Sequence, residues 1–565
     1  MIFRIADNIT TPLGETTAEN YQALKAGRSE LKHYEGKWGI PQSFTASLFT
    51  DEQTQKHAVE GLTRFESLAY TSARKALDQA DIDVSGSQTL FILSTTKANV
   101  ELLTGDAEVD AKLTPADAAK KIAERLGITT EPIVVCNACI SGVAAIVLAL
   151  RLLDAGVYSQ AVVCGADVQC KFTISGFQSL MAVSETECRP FDLERLGLNL
   201  GEAAGTLVLS ASPKSADDWC IQRGAIRNDA FHISSPSKNG EGAKLALDAV
   251  LCGDAADDLA LINAHGTATM FNDQMESIAI QRAGLSAVPV NGLKGYFGHT
   301  LGAAGLLETI LSMAAIDDHT IIGTRGFEDY GVSGKIQLSS QHIRTDKTRF
   351  IKMISGFGGC NGTVIADRQR ISTQVSQAPS LQISHKVRLT PNLLEIDGEQ
   401  KPLKESGSQL LTALYKTHVG NYPKFYKMDG LSKLGFIASE LLLMQEGGER
   451  FVACEDRAVI LFNHSSSIDA DRKYLESIAD AENYFPSPSI FVYTLPNIVT
   501  GEIAMRNGWH GETSFYIMPQ RNDALAWKTI EASLADPSTQ SVVGGWLDYQ
   551  DDQHFEAELY IAKNS

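Results

Sequence analysis

"EPIVVCNACISGVAAIVLALRLLDAG" (131–156) holds two cysteines three apart, Cys136 and Cys139, where an apolar run meets a long pattern of small and aliphatic residues. "PIVVCNA" is rich in β-branched residues and reads as a strand with Cys136 near its end, so Cys136 is expected to be buried. Cys139 then opens the helix "ISGVAAIVLALRLLDAG". First-turn N–H groups lack intrahelical partners and the helix dipole is positive there. A thiolate at that mouth is expected to have a lowered pKa. Ala138, Ser141 and Gly142 leave room beside it for an acyl group. By spacing alone Cys139 is a nucleophile or a core cysteine. A redox or metal pair ranks third, since a zinc site needs about four ligands and no second C-x-x-C is present.

Around this stretch the chain has 565 residues, 44% apolar and 21% charged, with a net charge of −19. Such a field repels nucleic acid and anionic lipid. No apolar run reaches the ~18–20 residues of a membrane span. The start "MIFRIADNITTPLGE" lacks the long apolar core of a secretory signal. Nine irregularly spaced cysteines argue against a disulfide framework, and the expected location is cytoplasmic. "HIRTDKTRFIK" (342–352) carries Arg344, Lys347, Arg349 and Lys352. It is a basic patch or a solvated strand edge, and the edge is the preferred reading.

Up to about residue 370, strand-like runs such as "TLFILST" (89–95) and "QAVVCGADV" (160–168) alternate with helical stretches such as "GLTRFESLAYTSARKALDQA" (61–80). That alternation predicts an α/β fold with helix-covered sheets. "QRISTQVSQAPSLQ" (369–382) is polar and reads as a linker, bounded at 369–385. Beyond it, "IAMRNGWHGETSFYIMPQ" (503–520) lies on "IAERLGITTEPIVVCNAC" (122–139) without a gap at an offset of 381, and "QSVVGGWLD" (540–548) follows on 160–168. The repeat predicts a shared supersecondary plan. It places Gln520 at the position of Cys139.

Two downstream motifs carry further chemistry. "LALINAHGTATMFNDQMES" (259–277) is a buried-type strand ending at His265, followed by a hydroxyl-rich loop. "NGLKGYFGHTLGAAGLLETIL" (291–311) places Lys294 before His299, at the start of a small-residue helix. A helix N-terminus disfavours imidazolium, so a neutral histidine there can donate an N–H to a developing oxyanion. "ISGFGGCNGT" (354–363) is a glycine-rich turn around Phe357 that permits close approach to a substrate.

With "CNACISG", "RPFDLERLGLNLGEAAGTLVLS" (189–210), "NAHGTAT", "LKGYFGHTLGAAG" and "GFGGCNGT" in this order, residues 1–368 resemble the elongating Cys-His-His β-ketoacyl-acyl carrier protein synthases of the thiolase fold. The two histidine motifs set them apart from chalcone-synthase-like and initiating enzymes. The resemblance implies a thiolase-like layered αβαβα fold of two half-units, 1–215 and 216–368. It implies that Cys139 accepts the acyl group and that His265 and His299 hold the malonyl thioester carbonyl. Lys294 would support the histidines, with Glu308 tying the network together. Thr267 and Thr269 would contact the phosphopantetheine arm. The N–H groups of Cys139 and Phe357 would form the oxyanion hole, with Phe357 as a gate. No metal and no intrinsic cofactor is implied. The 4′-phosphopantetheine arrives on a separate acyl carrier protein, as does malonyl.

Residues 386–565 resemble the half-length ketosynthase-like partners, of chain-length-factor type, in bacterial aryl polyene and flexirubin pigment pathways. Gln520 would mark an inactive nucleophile position in a dead pocket. The implied activity is decarboxylative Claisen extension of an acyl chain in polyene or polyketide-type pigment or lipid synthesis. The alternatives are a housekeeping fatty-acid synthase and a non-catalytic assembly subunit. The third unit is expected to pack on residues 1–210 as an internal pseudo-dimer, a higher oligomer being compatible with it. "ENYFPSPSIFVYTLPN" (482–497) would then close the acyl tunnel.

Overall fold

A computed structural model of the chain describes residues 1–369, 381–480 and 482–564. Three stretches of sequence each build a five-stranded sheet on one plan. In the first, the order is Ile133–Val135, Thr89–Ser94, Gln160–Asp167, Ala203–Ser210, Ile2–Thr10. The first three strands run parallel and the last two pairings are antiparallel. The second repeats that order and those directions with Pro289–Asn291, Leu259–Asn263, Arg349–Gly356, Cys360–Asp367 and Cys220–Asn228. So does the third, with Thr513–Ile517, Arg457–Asn463, Ser541–Asp551, His554–Asn564 and Leu381–Thr390.

Between the first two sheets lie the helices Ser141–Asp154 and Ala304–Asp317. Thirteen of the first helix's fourteen residues are buried, which is why its sequence is apolar all round rather than striped. The two helices touch through glycine: a Cβ on Gly142 would lie 2.8 Å from the Leu306 nitrogen, and one on Gly305 2.6 Å from the Val143 nitrogen. This is the layered thiolase-like α/β fold expected. Among the described residues no helix is long and apolar enough to cross a membrane.

The third sheet continues the first. Thr513–Ile517 pairs antiparallel with Ile133–Val135, Tyr516 opposite Val135 and Ile517 opposite Val134. The Asn137 side chain extends the pairing, accepting from the Phe515 N–H at 2.7 Å and donating to the Thr513 carbonyl at 3.1 Å. Buried ion pairs cross the same junction: Arg151–Glu512, Arg227–Asp536 and Lys97–Asp471, each at 2.6 Å.

Two expectations change. The strand Leu381–Thr390 begins inside the segment bounded as linker at 369–385; the remainder, 370–380, lies outside the described residues. Residues 382–384 are exposed, so this end of the strand is polar although its backbone pairs with the final strand. "HIRTDKTRFIK" is not a uniform solvated edge. Arg344 and Lys347 are exposed, whereas Arg349 and Lys352 enter the buried strand Arg349–Gly356.

Candidate active site

The first sheet ends at Val135, and the chain turns sharply before the helix. Ala138 sits at φ 48°, a left-handed conformation costly for any residue with a Cβ. The Ser141 hydroxyl secures the turn, accepting from the Asn137 N–H at 2.8 Å and donating to the Ala138 carbonyl at 2.6 Å. Cys139 therefore projects from the elbow into a cavity of about 380 Å³ that His265, His299, Thr267, Thr269 and Phe357 also line.

The second sheet supplies the histidines. His265 follows the strand Leu259–Asn263 on a loop whose N–H groups are all tied down. His265 and Gly266 donate to the Glu276 carboxylate at 2.6 and 2.8 Å. Thr267 and Ala268 donate to Asp273 at 3.0 and 3.1 Å. On the carbonyl side, Lys294 Nζ donates to the His265 oxygen at 2.6 Å and Lys352 Nζ to the Ala264 oxygen at 3.1 Å. Glu308 joins the two ammonium groups, pairing with Lys294 at 2.8 Å and with Lys352. Glu308 thus ties lysine to lysine, and Lys294 reaches His265 through its backbone rather than its ring. The hydroxyls of Thr267 and Thr269 lie 2.8 Å apart in the same wall.

His299 accepts the Leu301 N–H at Nδ1, 3.2 Å, which leaves Nε2 carrying the proton. That Nε2 is buried without a protein partner, as is His265 Nδ1. The rings meet edge to face at 4.9 Å. The Cys139 sulfur and one nitrogen from each ring lie within 4.8 Å of one another. With Nε2 protonated, the trio presents a hydrogen-bond donor to a substrate oxygen rather than a free lone pair to a metal. Both imidazoles are held well below the usual histidine pKa, first by burial and then by the nearby Lys294 ammonium, Lys352 adding to it. Burial and these cations thus act on both rings, and at His299 the Leu301 N–H, at the start of the helical segment Leu301–Ala303, also favours the neutral form.

The expected fall of the Cys139 pKa is not found. Burial pushes the thiol up to about 12; the Lys294 cation and the N–H groups of Cys139 and Phe357 pull the other way without prevailing. Cys136 is fully buried, its thiol donating to the Thr96 carbonyl, and packs as core. Gln520 is exposed rather than enclosed in a pocket. It follows the strand Thr513–Ile517 as Cys139 follows Ile133–Val135, but no histidine loop covers it among the described residues.

Sequence reading missed Asp273, Glu276 and Lys352. The first two form a D-x-x-E spacing inside the quoted histidine motif, a readable signal for a carboxylate clamp on loop N–H groups. Lys352 had none, because its partner Glu308 lies 44 residues away.

The family description "Beta-ketoacyl synthase, N-terminal domain" matches residues 5–214, and "Beta-ketoacyl synthase, C-terminal domain" matches residues 220–328. A 3-oxoacyl-[acyl-carrier-protein] synthase 2 of Rhizobium meliloti is 35% identical over 253 residues, 41% of this chain and 60% of that protein. The putative mitochondrial 3-oxoacyl-[acyl-carrier-protein] synthase of Schizosaccharomyces pombe is 28% identical over 408 residues, 63% of this chain and 96% of that one. Among solved structures, a ketosynthase in complex with its chain length factor from Xenorhabdus doucetiae aligns with TM-score 0.56 at 25% identity, over 65% of this chain and 97% of that one. A keto synthase–chain length factor structure aligns over the whole of this chain and 78% of its own, with TM-score 0.77 at 14% identity, a likeness of fold. The two domain descriptions, matched in order around one Cys-His-His cleft, place the chain in the β-ketoacyl synthase family of enzymes.

Proposed function

We propose that the chain extends an acyl chain by decarboxylative condensation with a malonyl group on an acyl carrier protein. The observation that carries this is the convergence of the Cys139 sulfur and the two imidazoles within 4.8 Å at the floor of one cleft. In the first half-reaction Cys139 attacks the acyl thioester of the carrier. The N–H groups of Cys139 and Phe357 take the oxyanion charge, and the carrier thiol leaves with the proton Cys139 gives up. In the second, the malonyl thioester oxygen accepts N–H bonds from His299 Nε2 and from His265. Carbon dioxide departs, and its bonding pair becomes an enolate that the two neutral donors stabilise. The enolate carbon attacks acyl-Cys139, the β-ketoacyl thioester stays on the carrier, and the expelled Cys139 thiolate is reprotonated. Thr267 and Thr269 face the route of the pantetheine arm.

The third unit acts in this reading as a chain-length-factor-like partner carried in the same polypeptide, its sheet joined to the first as in an internal pseudo-dimer. Phe491 supports a role in closing the acyl tunnel. Its ring stands 5.4 Å from that of Phe177, a cavity residue, and a Cβ on Gly176 would collide with it at 2.0 Å. The Tyr484 hydroxyl adds a bond to Ser175 at 2.6 Å. The product class is of the polyene or polyketide pigment type, in line with the resemblance of residues 386–565.

Intact-mass measurement after incubation with acyl- and malonyl-carrier protein tests the reading. One acyl adduct on Cys139, its absence in Cys139→Ala, and a β-ketoacyl carrier product are expected. A Cys139→Ala protein that still forms that adduct and still condenses refutes it.

A further inference from the structure

Asn497 stands at the N-cap of the helix Ile498–Asn507, a position where asparagine ordinarily accepts an N–H of its own first turn. It makes no such bond. The matching helix of the first unit, Pro115–Leu126, is capped in the ordinary way by Thr114, which accepts the Asp117 N–H at 3.1 Å. Asn497 instead sends its Nδ2 across the junction to the Phe357 carbonyl, at 2.8 Å. The residue is 1% exposed and its Oδ1 is buried without a partner. Forgoing the cap and burying an unpaired oxygen both cost stability, so this side chain is not placed there for the fold of its own helix.

What it holds is the turn that faces Cys139. The Phe357 carbonyl also accepts from the Cys360 thiol at 3.2 Å, and the Gly358 carbonyl accepts from Asn228 at 2.8 Å. Gly501, on the first turn of the same helix, lies flat against this loop: a Cβ there would sit 2.4 Å from the Gly358 oxygen. The Phe357 ring is reached from the same unit through Phe177, which stacks on it at 6.1 Å and touches Phe491 at 5.4 Å. Phe357 lines the same cavity as Cys139, and a Cβ on Gly356, the residue before it, would lie 3.2 Å from the Cys139 nitrogen, so the Phe357 N–H belongs to a peptide packed against Cys139.

We propose that the third unit completes the acylation site of the first: Asn497 is a positioning residue that fixes the Phe357 carbonyl and, by restraining the backbone of Phe357, the N–H on the other side of that residue, beside Cys139. The inference rests on the ketosynthase reading above and deepens it. The third unit then sets the rate of acyl loading as well as the room for the chain, and the two effects belong to different residues. Asn497 governs the first and Phe491 the second.

The full chain carrying Asn497→Ala is compared with wild type for single-turnover acylation of Cys139 by the N-acetylcysteamine thioester of octanoic acid. The rate at saturation is expected to fall about 10- to 100-fold, the effect of misplacing a transition-state donor. Half-saturation, melting temperature and product length stay as they were, since the side chain caps nothing and touches no substrate. Gly501→Ala, which presses a methyl group on the Gly358 carbonyl, gives the same fall; Asn497→Ser, which keeps a donor, restores part of the rate. Phe491→Leu changes product length with acylation intact. Wild-type acylation rates in both Asn497→Ala and Gly501→Ala overturn the proposal, as does a loss matched by an equal loss of melting temperature. If wild type takes no acyl group from the thioester, the ketosynthase reading fails. Alkylation of Cys139 by iodoacetamide at mildly alkaline pH then decides the Asn497 question by itself: slower in Asn497→Ala upholds it, unchanged or faster sinks it.

Discussion

The helices Ser141–Asp154 and Asp523–Ser533 occupy the same place in their sheets, each after the strand that leads to a nucleophile position. The first, "SGVAAIVLALRLLD", lies between two sheets and is apolar on every side. The second, "DALAWKTIEAS", buries Leu525, Ala526, Thr529 and Ile530 and leaves Asp523, Ala524 and Lys528 exposed. It packs on the first helix and on its own sheet, with no further sheet over its outer face among the described residues. An elbow of the same plan therefore makes a reaction site in one unit and a piece of surface in the other. What differs is the layer above it: the loops of the second unit bring His265, His299 and their lysines over Cys139, and among the described residues nothing equivalent stands over Gln520.

The largest test of this comparison removes one member. Deleting residues 370–565 strips the strand Ile133–Val135 of its partner and uncovers Arg151, Arg227 and Lys97, each now paired with the third unit. An unpaired edge beside an apolar face pairs with whatever is available. Light scattering on the purified fragment should show aggregates or a new dimer. A stable, soluble monomer would mean that the third unit is an accessory to the first and not half of its interface.

A smaller break severs one cross-junction contact. Arg227 grips Asp536 with its two terminal guanidinium nitrogens, at 2.6 and 3.1 Å, and both residues are buried. Arg227→Met leaves the buried carboxylate with only the more distant Arg151, at 3.9 Å, and the N–H and hydroxyl of Ser538, so the loss should fall toward the lower end of about 3–5 kcal/mol, read as a lower midpoint in urea. The double variant Arg227→Met/Asp536→Leu should recover most of it. If the single variant costs less than about 1 kcal/mol, well below that range, this pair does not help hold the units together.

The third test sharpens the upper layer. Lys294 and Lys352 both face the imidazoles, balanced by Glu308 between them and Glu276 on the loop. Burial and these cations keep both histidines neutral well below their usual pKa. Removing a cation makes protonation easier, so Lys352→Met raises the histidine pKa values. The acid limb of malonyl decarboxylation should then move to higher pH, with the rate above the limb reduced less. An unmoved limb would show that burial and Lys294 suffice.

How much of this could be read beforehand follows from how local each feature is. Cys139, His265, His299, Lys294 and Phe357 stand in short runs whose glycines and small residues are demanded by the turn that presents the side chain, so the runs announce themselves. That the third unit copies the first showed through the in-register match of 503–520 on 122–139, because a strand and its flanking helix keep their spacing when duplicated; that the second unit shares the plan did not show. Lys352 and Asn497 did not show. Each is a polar residue whose burial is decided by a partner, 44 residues off for Lys352 and 140 for Asn497. The Cys139 pKa went the other way for a related reason. A helix mouth is visible in a sequence, whereas the burial that opposes it is a property of the assembled layers.

The smallest expected effect falls on the other elbow. Gln520 stands in the third unit where Cys139 stands in the first, is exposed, and precedes Asn522, which caps the helix by accepting the Leu525 N–H at 3.0 Å. Asn522 also donates to Glu131 of the first unit at 2.6 Å, so the end of this turn is anchored without any help from Gln520. An exposed side chain with no structural partner changes stability by at most about 0.5 kcal/mol when replaced. Gln520→Ala should therefore leave acylation of Cys139, condensation and the urea midpoint unchanged. Gln520→Cys makes the sharper demand. It restores the thiol in the right place on the plan, yet among the described residues no imidazole pair stands over it, so intact mass should show a single acyl group, on Cys139. A second acyl group at position 520 that turns over with malonyl-carrier would mean that the plan of strand, elbow and helix suffices for condensation, and that the layer above Cys139 is not what separates the two units.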